Sequence, residues 1–315
     1  MEIRDFKQGD EDAILELFEL VFKKQMSKRY WFWRFEKNPA GKYLIKLMWH
    51  DNQLVGHYAV SPVFMEINSE KVLTSLSMST MTHPDFGGKG IFKDLSMNLY
   101  DLLENYLNMK LIWGFPNGNS HYGFIKYLNW KDIAVIHTLT LNISELNSVE
   151  SNSIKIVTDF DSNHVAILQQ TTRDFEVKVD RNLAYLKWRY IDNPSNKYTI
   201  YEYNQDGEKQ FLVTKLYPSQ TQNNKQDVFI MEYGITNHSL LPNFVQHLKF
   251  FHDEKIENIV IWCTLYDSKH IELEKTGFVL QGRQTFLSAR GCNFKLYDIA
   301  DYRKWFISFG DSDVY

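Results

Sequence analysis

A glycine-rich segment near residue 88 has the composition of an anion-binding loop. Residues 80–92 read Thr-Met-Thr-His-Pro-Asp-Phe-Gly-Gly-Lys-Gly-Ile-Phe and connect a predicted strand to a predicted amphipathic helix. Glycine adopts backbone conformations that are closed to other residues and lets a ligand approach the main chain closely. The helix that follows directs free N–H groups and the positive end of its dipole into the loop. The segment therefore predicts a site for a phosphate or a pyrophosphate.

Two other glycine motifs do not fit this segment. A P-loop requires Gly-x-x-x-x-Gly-Lys-Ser/Thr, but His83 stands five residues before Gly88, and Gly90 follows Lys89. The dinucleotide-binding fingerprint requires a third glycine at the position of Lys93. Both nucleotide motifs are therefore excluded.

The segment resembles the pyrophosphate loop of the GNAT acetyltransferase superfamily, whose pattern is Gln/Arg-x-x-Gly-x-Gly/Ala after a strand. Gly90 matches the central glycine and Pro84 also fits, whereas Gly87 and Phe92 depart from the pattern at its two ends. The resemblance implies that main-chain N–H groups hold the pyrophosphate of acetyl-CoA and that the strand end pairs with the pantetheine arm. The implied binding residues are Met81, Thr82, His83, Gly87, Gly88, Lys89, Gly90, Ile91 and Phe92. The alternative is a glycine-rich turn that binds nothing.

A second segment, residues 112–120, predicts a strand followed by the start of a helix. It reads Ile-Trp-Gly-Phe-Pro-Asn-Gly-Asn-Ser. In GNAT proteins an Asn near this position contacts the pantetheine, and the spacing fits either Asn117 or Asn119. The alternative is that Asn119 or Ser120 only caps the helix, as such residues often do.

Acyl transfer to an amine requires a neutral amine, a polarised thioester carbonyl and a protonated leaving thiolate. In many GNAT enzymes a Tyr four residues before a Gly-Phe pair supplies the acid. Here an Asn-Trp pair takes that place, and Ile125 stands at the Tyr position. We expect Tyr122, one turn earlier, to act as the acid, with His121 and Tyr127 as alternatives. A structural role is the competing interpretation for each of them.

Candidates for the base come from two regions of the chain. The strand before the loop lacks the glutamate that some GNAT members use, which leaves His83 and His57, because histidine titrates near neutral pH. The chain also resembles Eis-like multi-GNAT acetyltransferases, in which the chain terminus reaches the catalytic site. That resemblance makes the carboxylate of Tyr315, or Asp311 or Asp313, a candidate. The alternative is a tail that packs for stability.

An internal repeat organises the elements that must position these residues. Residues 30–43 contain Tyr-x-x-Trp-Arg-Phe-x-x-Asn-Pro-x-x-Lys-Tyr, and residues 185–198 repeat this pattern with Tyr in place of Phe. The offset is 155 residues, which predicts two copies of one domain rather than a solenoid. The motif itself is interpreted as a helix end, because Asn-Pro disfavours helix continuation.

The predicted fold class is mixed α/β, with two tandem GNAT-like domains. Each half shows two helices, then strands, then strand–helix–strand–helix–strand, which predicts a mixed central sheet with helices on both faces. Helices are expected at 10–24 and 88–105, and one strand at 130–142. We predict a first domain over 1–145, which carries the acetyl-CoA loop, and a second over 154–315.

The second domain is expected to lack a cofactor site. Its residues 242–245, at the repeat offset from the loop, read Pro-Asn-Phe-Val and contain no glycine. We therefore expect it to form a wall of the acceptor cleft, because ligand sites favour domain interfaces.

Composition excludes several classes of protein and site. The chain has 315 residues and a net charge of −4, which does not favour nucleic acid as a partner. Cys263 and Cys292 lie outside any CxxC pair, so we predict neither a metal nor a disulfide framework, and a cytoplasmic setting. No apolar run is long enough to span a membrane.

The predicted function is therefore acetyl-CoA-dependent N-acetylation of a primary amine on a small molecule. An amino sugar of surface polysaccharide synthesis is the leading acceptor, because this chain resembles two-domain GNAT proteins that are associated with that process. The alternatives are an acyl or aminoacyl transferase of the two-GNAT-half type and a non-catalytic acyl-CoA-binding protein.

Overall fold

A computed structural model describes residues 1–252, 255–281 and 285–313 of the chain. The chain divides into two compact units. Unit 1 comprises Met1–Ala134 and Phe286–Asp301, and unit 2 comprises Val135–Thr285 and Tyr302–Tyr315.

Helices and strands are numbered along the chain. The helices are α1 (Glu11–Phe22), α2 (Lys28–Phe35), α3 (Ile91–Asn105), α4 (His121–Leu128), α5 (Ser162–Thr171), α6 (Leu183–Leu186), α7 (Leu241–His252) and α8 (Lys269–Lys275). The strands are β1 (Glu2–Asp5), β2 (Leu44–His50), β3 (Gln53–Ile67), β4 (Glu70–Thr82), β5 (Leu111–Gly114), β6 (Lys131–Ile136), β7 (Thr138–Asn142), β8 (Ile154–Val157), β9 (Val177–Val179), β10 (Thr199–Gln205), β11 (Glu208–Pro218), β12 (Gln226–Gly234), β13 (Ile256–Trp262), β14 (Val279–Leu280) and β15 (Thr285–Gly291).

The two sheets have corresponding strand orders. The sheet of unit 1 runs β1-β2-β3-β4-β5-β15-β6, and that of unit 2, read from its β8 edge, runs β8-β10-β11-β12-β13-β7-β14. In each sheet the fourth and fifth strands pair in parallel, namely β4 with β5 and β12 with β13. The predicted mixed α/β class is confirmed.

Each sheet includes at least one strand from the other half of the sequence. In unit 1 β15 pairs with β5, so that Ser288 lies opposite Gly114. In unit 2 β7 pairs with β13, so that Leu139 lies opposite Ile261. The units therefore differ from the contiguous predicted ranges 1–145 and 154–315. Hydrogen-bond pairing, which sequence proximity does not dictate, assigns these strands to their sheets.

The bounds expected for two helices agree with the structure, whereas an expected strand is divided. The helices expected at 10–24 and 88–105 are α1 and α3. The single strand expected at 130–142 is instead two strands, β6 and β7, with a break at His137. The break matters because β6 belongs to the sheet of unit 1 and β7 to that of unit 2.

Helices cover both faces of the sheet in unit 1. One apolar cluster joins α1 and α2 to the sheet through residues such as Leu17 and Trp31. A second cluster joins α3 and α4 to the opposite face through Leu95 and Phe124. This layered burial of apolar surface supplies the main stabilisation of the unit.

The repeated Trp-Arg-aromatic-x-x-Asn-Pro motif is part of the scaffold in both units. Asn38 donates to Ser61 Oγ at 2.8 Å and to the Pro62 carbonyl at 2.9 Å. Asn193, its counterpart, accepts two backbone N–H groups of the turn that follows it. Each Asn therefore stabilises the chain where its helix ends, in agreement with the interpretation of the motif as a helix end.

A buried ion-pair network stabilises unit 2. Arg181 Nε donates to Glu232 Oε2 at 2.6 Å, and Arg181 NH2 donates to Asp311 Oδ2 at 2.8 Å. The exposed fractions of these side chains are 4% for Arg181 and 0% for both carboxylates. Asp311 also accepts the N–H of Ser308 at 2.8 Å. Asp311, a candidate base in the sequence, is thus engaged in the interior of unit 2.

We expect Arg181→Leu to lower the free energy of unfolding by about 3–5 kcal/mol, because it leaves two buried carboxylates without a cation. Urea denaturation followed by tryptophan fluorescence measures the change. The matched control is Arg173→Leu, whose side chain is 69% exposed and should change stability by less than about 0.5 kcal/mol. Equal effects of the two substitutions would contradict a stabilising role for the network.

Candidate functional site

The glycine-rich segment is a tight connection between β4 and α3. After β4 ends at Thr82, residues Pro84–Phe86 form one turn of 3-10 helix. The side chain of His83 caps this turn, because its Nδ1 accepts the N–H of Asp85 at 3.3 Å. The chain then passes through four exposed residues, 87–90, before α3 begins.

The loop is open, with glycines in conformations that favour glycine. Gly88 has φ +74° and Gly90 has φ +79°. A Cβ atom built on Gly88 would meet no atom within 4 Å, and one on Gly90 would meet only Asp94 Oδ2 at 3.9 Å. Neighbouring side chains of the described residues therefore leave the space above these two glycines free.

The start of α3 presents backbone donors to this space. Gly90 is the N-cap, and no side chain caps the helix there. The first intrahelical bond runs from the N–H of Asp94 to the carbonyl of Gly90 at 3.0 Å. The N–H groups of the first helical residues, 91–93, consequently lack intrahelical acceptors and carry the positive end of the helix dipole. Such an arrangement is suited to an anionic group.

Two cationic side chains increase the positive potential near the loop. Lys89 lies in the loop with its Nζ 4.3 Å from the centre of the Phe86 ring, and Lys93 is exposed in the first turn of α3. Asp94 lies in the same turn and is the nearest opposing charge. The loop and the first turn of α3 therefore combine open backbone donors with two cationic side chains.

The parallel strands β4 and β5 separate beside the loop. Among the described pairings between them, Ser75 lies opposite Ile112 and Leu76 opposite Trp113. β5 ends at Gly114, whose Cβ position would lie 3.3 Å from the Ser77 carbonyl, whereas β4 continues to Thr82. The edge of β4 that faces β5 is therefore free of strand pairing after this point, and an extended ligand can pair with it.

A bulge in β4 is held by a buried histidine. The pairing of β3 with β4 shifts between His57 and Ala59, and Ser79 has φ +51°. His57 Nδ1 lies 2.7 Å from the Ser79 carbonyl, so Nδ1 carries the proton and donates it. His57 is 1% exposed, and burial lowers its pKa from 6.5 to about 4. The imidazole is thus neutral at physiological pH and serves to fix the bulge.

Residues 81–92 of the predicted cofactor set form one continuous strand–loop–helix segment, whereas Asn117 lies in the turn before α4. Met81 is buried and pairs with His57 across the sheet, and residues 82–92 follow it into the loop and helix. Asn117 Oδ1 accepts the N–H groups of Asn119 at 3.0 Å and Ser120 at 3.1 Å. Asn117, rather than Asn119 or Ser120, therefore forms the turn that starts α4.

The predicted catalytic residues lie on different elements of the fold. Tyr122 is 58% exposed on α4, where its hydroxyl contacts Lys126 Nζ. Both ring nitrogens of His83 have partners, because Nε2 also lies 3.0 Å from the side-chain amide of Gln53. Ile125 packs against the core under α3 and α4. Tyr315 lies outside the described residues.

The family model of the acetyltransferase (GNAT) domain matches residues 2–132 of the chain. This region contains the loop, α3, the separated strands and α4. Residues 2–132 are thus similar to a GNAT acetyltransferase domain, and the enzyme class is acyltransferase. A comparison with curated proteins finds no match.

Several solved structures are similar to nearly the whole chain. A GCN5-related N-acetyltransferase from Anabaena variabilis has a TM-score of 0.71 at 11% identity, covering 93% of this chain and 73% of that one. A probable N-acyltransferase from Enterococcus faecalis has a TM-score of 0.71 at 12% identity, covering 92% and 72%. The Saccharomyces cerevisiae N-myristoyltransferase, solved with myristoyl-CoA, has a TM-score of 0.64 at 8% identity, covering 91% and 82%. At these identities the likeness shows the fold alone.

Two further observations concern metal ligands and membrane-spanning helices. Within residues 1–252, 255–281 and 285–313, no three His, Cys, Asp or Glu side chains come together as metal ligands would. In the same residues no helix has the length and apolar character needed to cross a membrane.

The neutral state of His57 predicts a pH dependence of stability. Since its pKa is about 4 when folded and 6.5 when unfolded, the unfolded chain takes up the proton first as the pH falls. Stability is therefore full above pH 6.5 and decreases toward pH 4, by about 3 kcal/mol for this group.

The measurement is urea denaturation between pH 4 and pH 7 for the wild type and His57→Asn, which keeps a donor but does not titrate. We expect the variant to lose that part of the pH dependence. His50→Asn, at an exposed histidine of β2, is the control and should retain it. Parallel pH curves for the wild type and His57→Asn would contradict a buried neutral histidine.

Proposed function

We propose that the chain is an N-acetyltransferase that uses acetyl-CoA and acts on a primary amine of a small molecule. The observation that carries the proposal is the continuity of three features in unit 1. The free edge of β4 leads directly into the open glycine loop, and the loop ends at the uncapped start of α3. An extended arm and a doubly charged diphosphate are the two parts of coenzyme A that these features suit.

In this proposal, the main-chain N–H groups of residues 87–92 bind the pyrophosphate, and Lys89 adds charge. The pantetheine arm extends along residues 81–83, within reach of Asn117 or Asn119. The openness of Gly88 supports this assignment, because a side chain at that position would occupy the same space. When bound, the thioester supplies the acyl group that is transferred to the amine.

The predicted catalytic residues remain part of the proposal. Tyr122 is the candidate acid for the leaving thiolate, and its exposed position on α4 is compatible with access to a ligand. His83 and the Tyr315 carboxylate remain candidate bases. The hydrogen bonds to both nitrogens of His83 weaken its candidacy, since a base needs a free lone pair.

Unit 2 is proposed to be a second GNAT-like domain without a cofactor site. Its residues 242–245 lie in α7, and Phe244 and Val245 are packed into the core of the unit. The repeat offset of 155 residues therefore does not align this segment with the loop. The connection from β12 to α7 is residues 235–240, which also contain no glycine. We further propose an amino sugar as the acceptor and a cytoplasmic location.

We expect purified full-length protein to bind acetyl-CoA and to release free thiol when an amine is added. At about a hundred times its dissociation constant, acetyl-CoA should stabilise the protein by about 2.7 kcal/mol. Calorimetry and thermal unfolding measure the binding. A thiol reagent measures turnover with acetyl-, propionyl- and myristoyl-CoA against amino sugars, polyamines and amino acids.

The outcomes separate the candidate functions. Turnover with acetyl-CoA and an amino sugar supports the proposal. Binding without turnover favours a non-catalytic acyl-CoA-binding protein, and transfer from aminoacyl-tRNA alone favours an aminoacyl transferase. Failure of every coenzyme A thioester to bind would contradict the proposed site.

We expect Gly90→Ala to weaken acetyl-CoA binding at least about tenfold, because alanine at φ +79° costs about 1–2 kcal/mol and displaces the loop. The matched control is Gly207→Ala in the turn between β10 and β11, where φ is +82° and a Cβ would meet no atom within 4 Å. The control should lose similar stability and keep the wild-type affinity by calorimetry. Wild-type affinity in Gly90→Ala would argue against phosphate binding at this loop.

A further inference from the structure

A hydrogen-bonded cluster lies where α4 approaches the strands β6 and β15 of unit 1. His121 Nε2 lies 2.8 Å from Asp132 Oδ1. Ser288 Oγ donates to the same carboxylate oxygen at 2.6 Å. The ring of Phe286 stacks on the imidazole with a centroid distance of 4.1 Å and an angle of 18°. Two contacts to the imidazole, from Asp132 and Phe286, therefore orient this histidine, and Ser288 holds the carboxylate.

The contacts also determine which nitrogen is available for chemistry. A carboxylate accepts hydrogen bonds, so His121 Nε2 carries a proton and donates it to Asp132. In the neutral ring Nδ1 then has the free lone pair. Nδ1 forms no hydrogen bond with the described residues, and the side chain is 22% exposed. His121 thus has the arrangement of an oriented base.

Strand register places the cluster beside the separation of β4 and β5. Ser288 lies opposite Gly114, the last residue of β5 and the point at which β4 and β5 part. Neighbouring strands are about 4.8 Å apart, so Ser288 on β15 lies one strand from the opening and Asp132 on β6 lies two strands from it. His121 is the first residue of α4 and lies one turn before Ile125, on the same helix face.

We propose that His121 is the general base of the acyl transfer and that Asp132 is its positioning residue. This inference rests on the proposed function. His121 Nδ1 takes a proton from the ammonium group of the acceptor. The amine nitrogen, now neutral, attacks the thioester carbonyl. The C–N bond forms, the C–S bond breaks, and the departing thiolate is protonated from the imidazolium or from water. The products are an amide and a thiol, with one proton released to solvent.

The surrounding charges are few and favour this role. Asp132 on β6 is the charged group in contact with the imidazole. On β15 the next charge on the same face is Arg290, which is paired with Glu104 of α3. Lys126, one turn further along α4, interacts with Tyr122. Asp132 is therefore the charged side chain that contacts and orients the imidazole.

The test compares His121→Gln and Asp132→Asn with the wild type. We expect His121→Gln to reduce kcat by about 10²–10⁴-fold and to leave acetyl-CoA affinity unchanged. We expect Asp132→Asn to lower kcat less, because the imidazole loses the carboxylate acceptor that orients it. Asp101→Asn, an exposed carboxylate of α3 that accepts from Asn105, is the matched control and should retain full activity.

Imidazole nitrogen NMR of the unliganded protein provides a readout without turnover. It should show His121 with its proton on Nε2 in the wild type and a mixture of tautomers in Asp132→Asn. Undiminished kcat in His121→Gln, or a proton on Nδ1 in the wild type, would overturn the proposal. If the wild type itself binds no acetyl-CoA, the proposed function fails instead, so the two failures are distinguishable.

Discussion

The position of the candidate site depends on the close approach of α3 to the sheet at Gly56. A Cβ atom on Gly56 would lie 2.4 Å from Ile91 Cγ2, so only glycine lets the first residue of α3 pack there. Ile91 is 2% exposed and fixes the start of the helix against β3. Because the helix start is fixed, the glycine loop that precedes it is held in the open with its backbone donors free.

The separation of β4 and β5 also depends on local backbone geometry. His57 donates to the carbonyl of Ser79 and holds the bulge in β4, while β5 ends early at Gly114. Among the described residues, one edge of β4 consequently has no strand partner between Ser77 and the loop. The site thus lies where the regular strand pairing of the sheet is interrupted. The buried, neutral His57 stabilises the bulge in β4 at this place.

The strand β15 completes the same region from the far side of β5. It pairs with β5 through residues 288–291 and contributes the side chains that orient His121. Unit 2 receives β7 in the corresponding place, but its strand-to-helix connection leads into a helix whose first turns are buried. Similar strand orders thus support an open loop in one unit and a packed core in the other.

The sequence by itself determined the elements, the mixed α/β class and the glycine loop, because hydrophobic periodicity, Asn-Pro helix ends and glycine are local signals. It also placed Met81–Phe92 on one strand–loop–helix segment. Only the tertiary structure decided that β7 and β15 join the sheets of the other halves, that Asp311 pairs with Arg181, and that Asp132 and Ser288 orient His121. Those contacts join residues far apart in the chain, and long-range pairing is decided by hydrogen bonds and packing that no local pattern encodes.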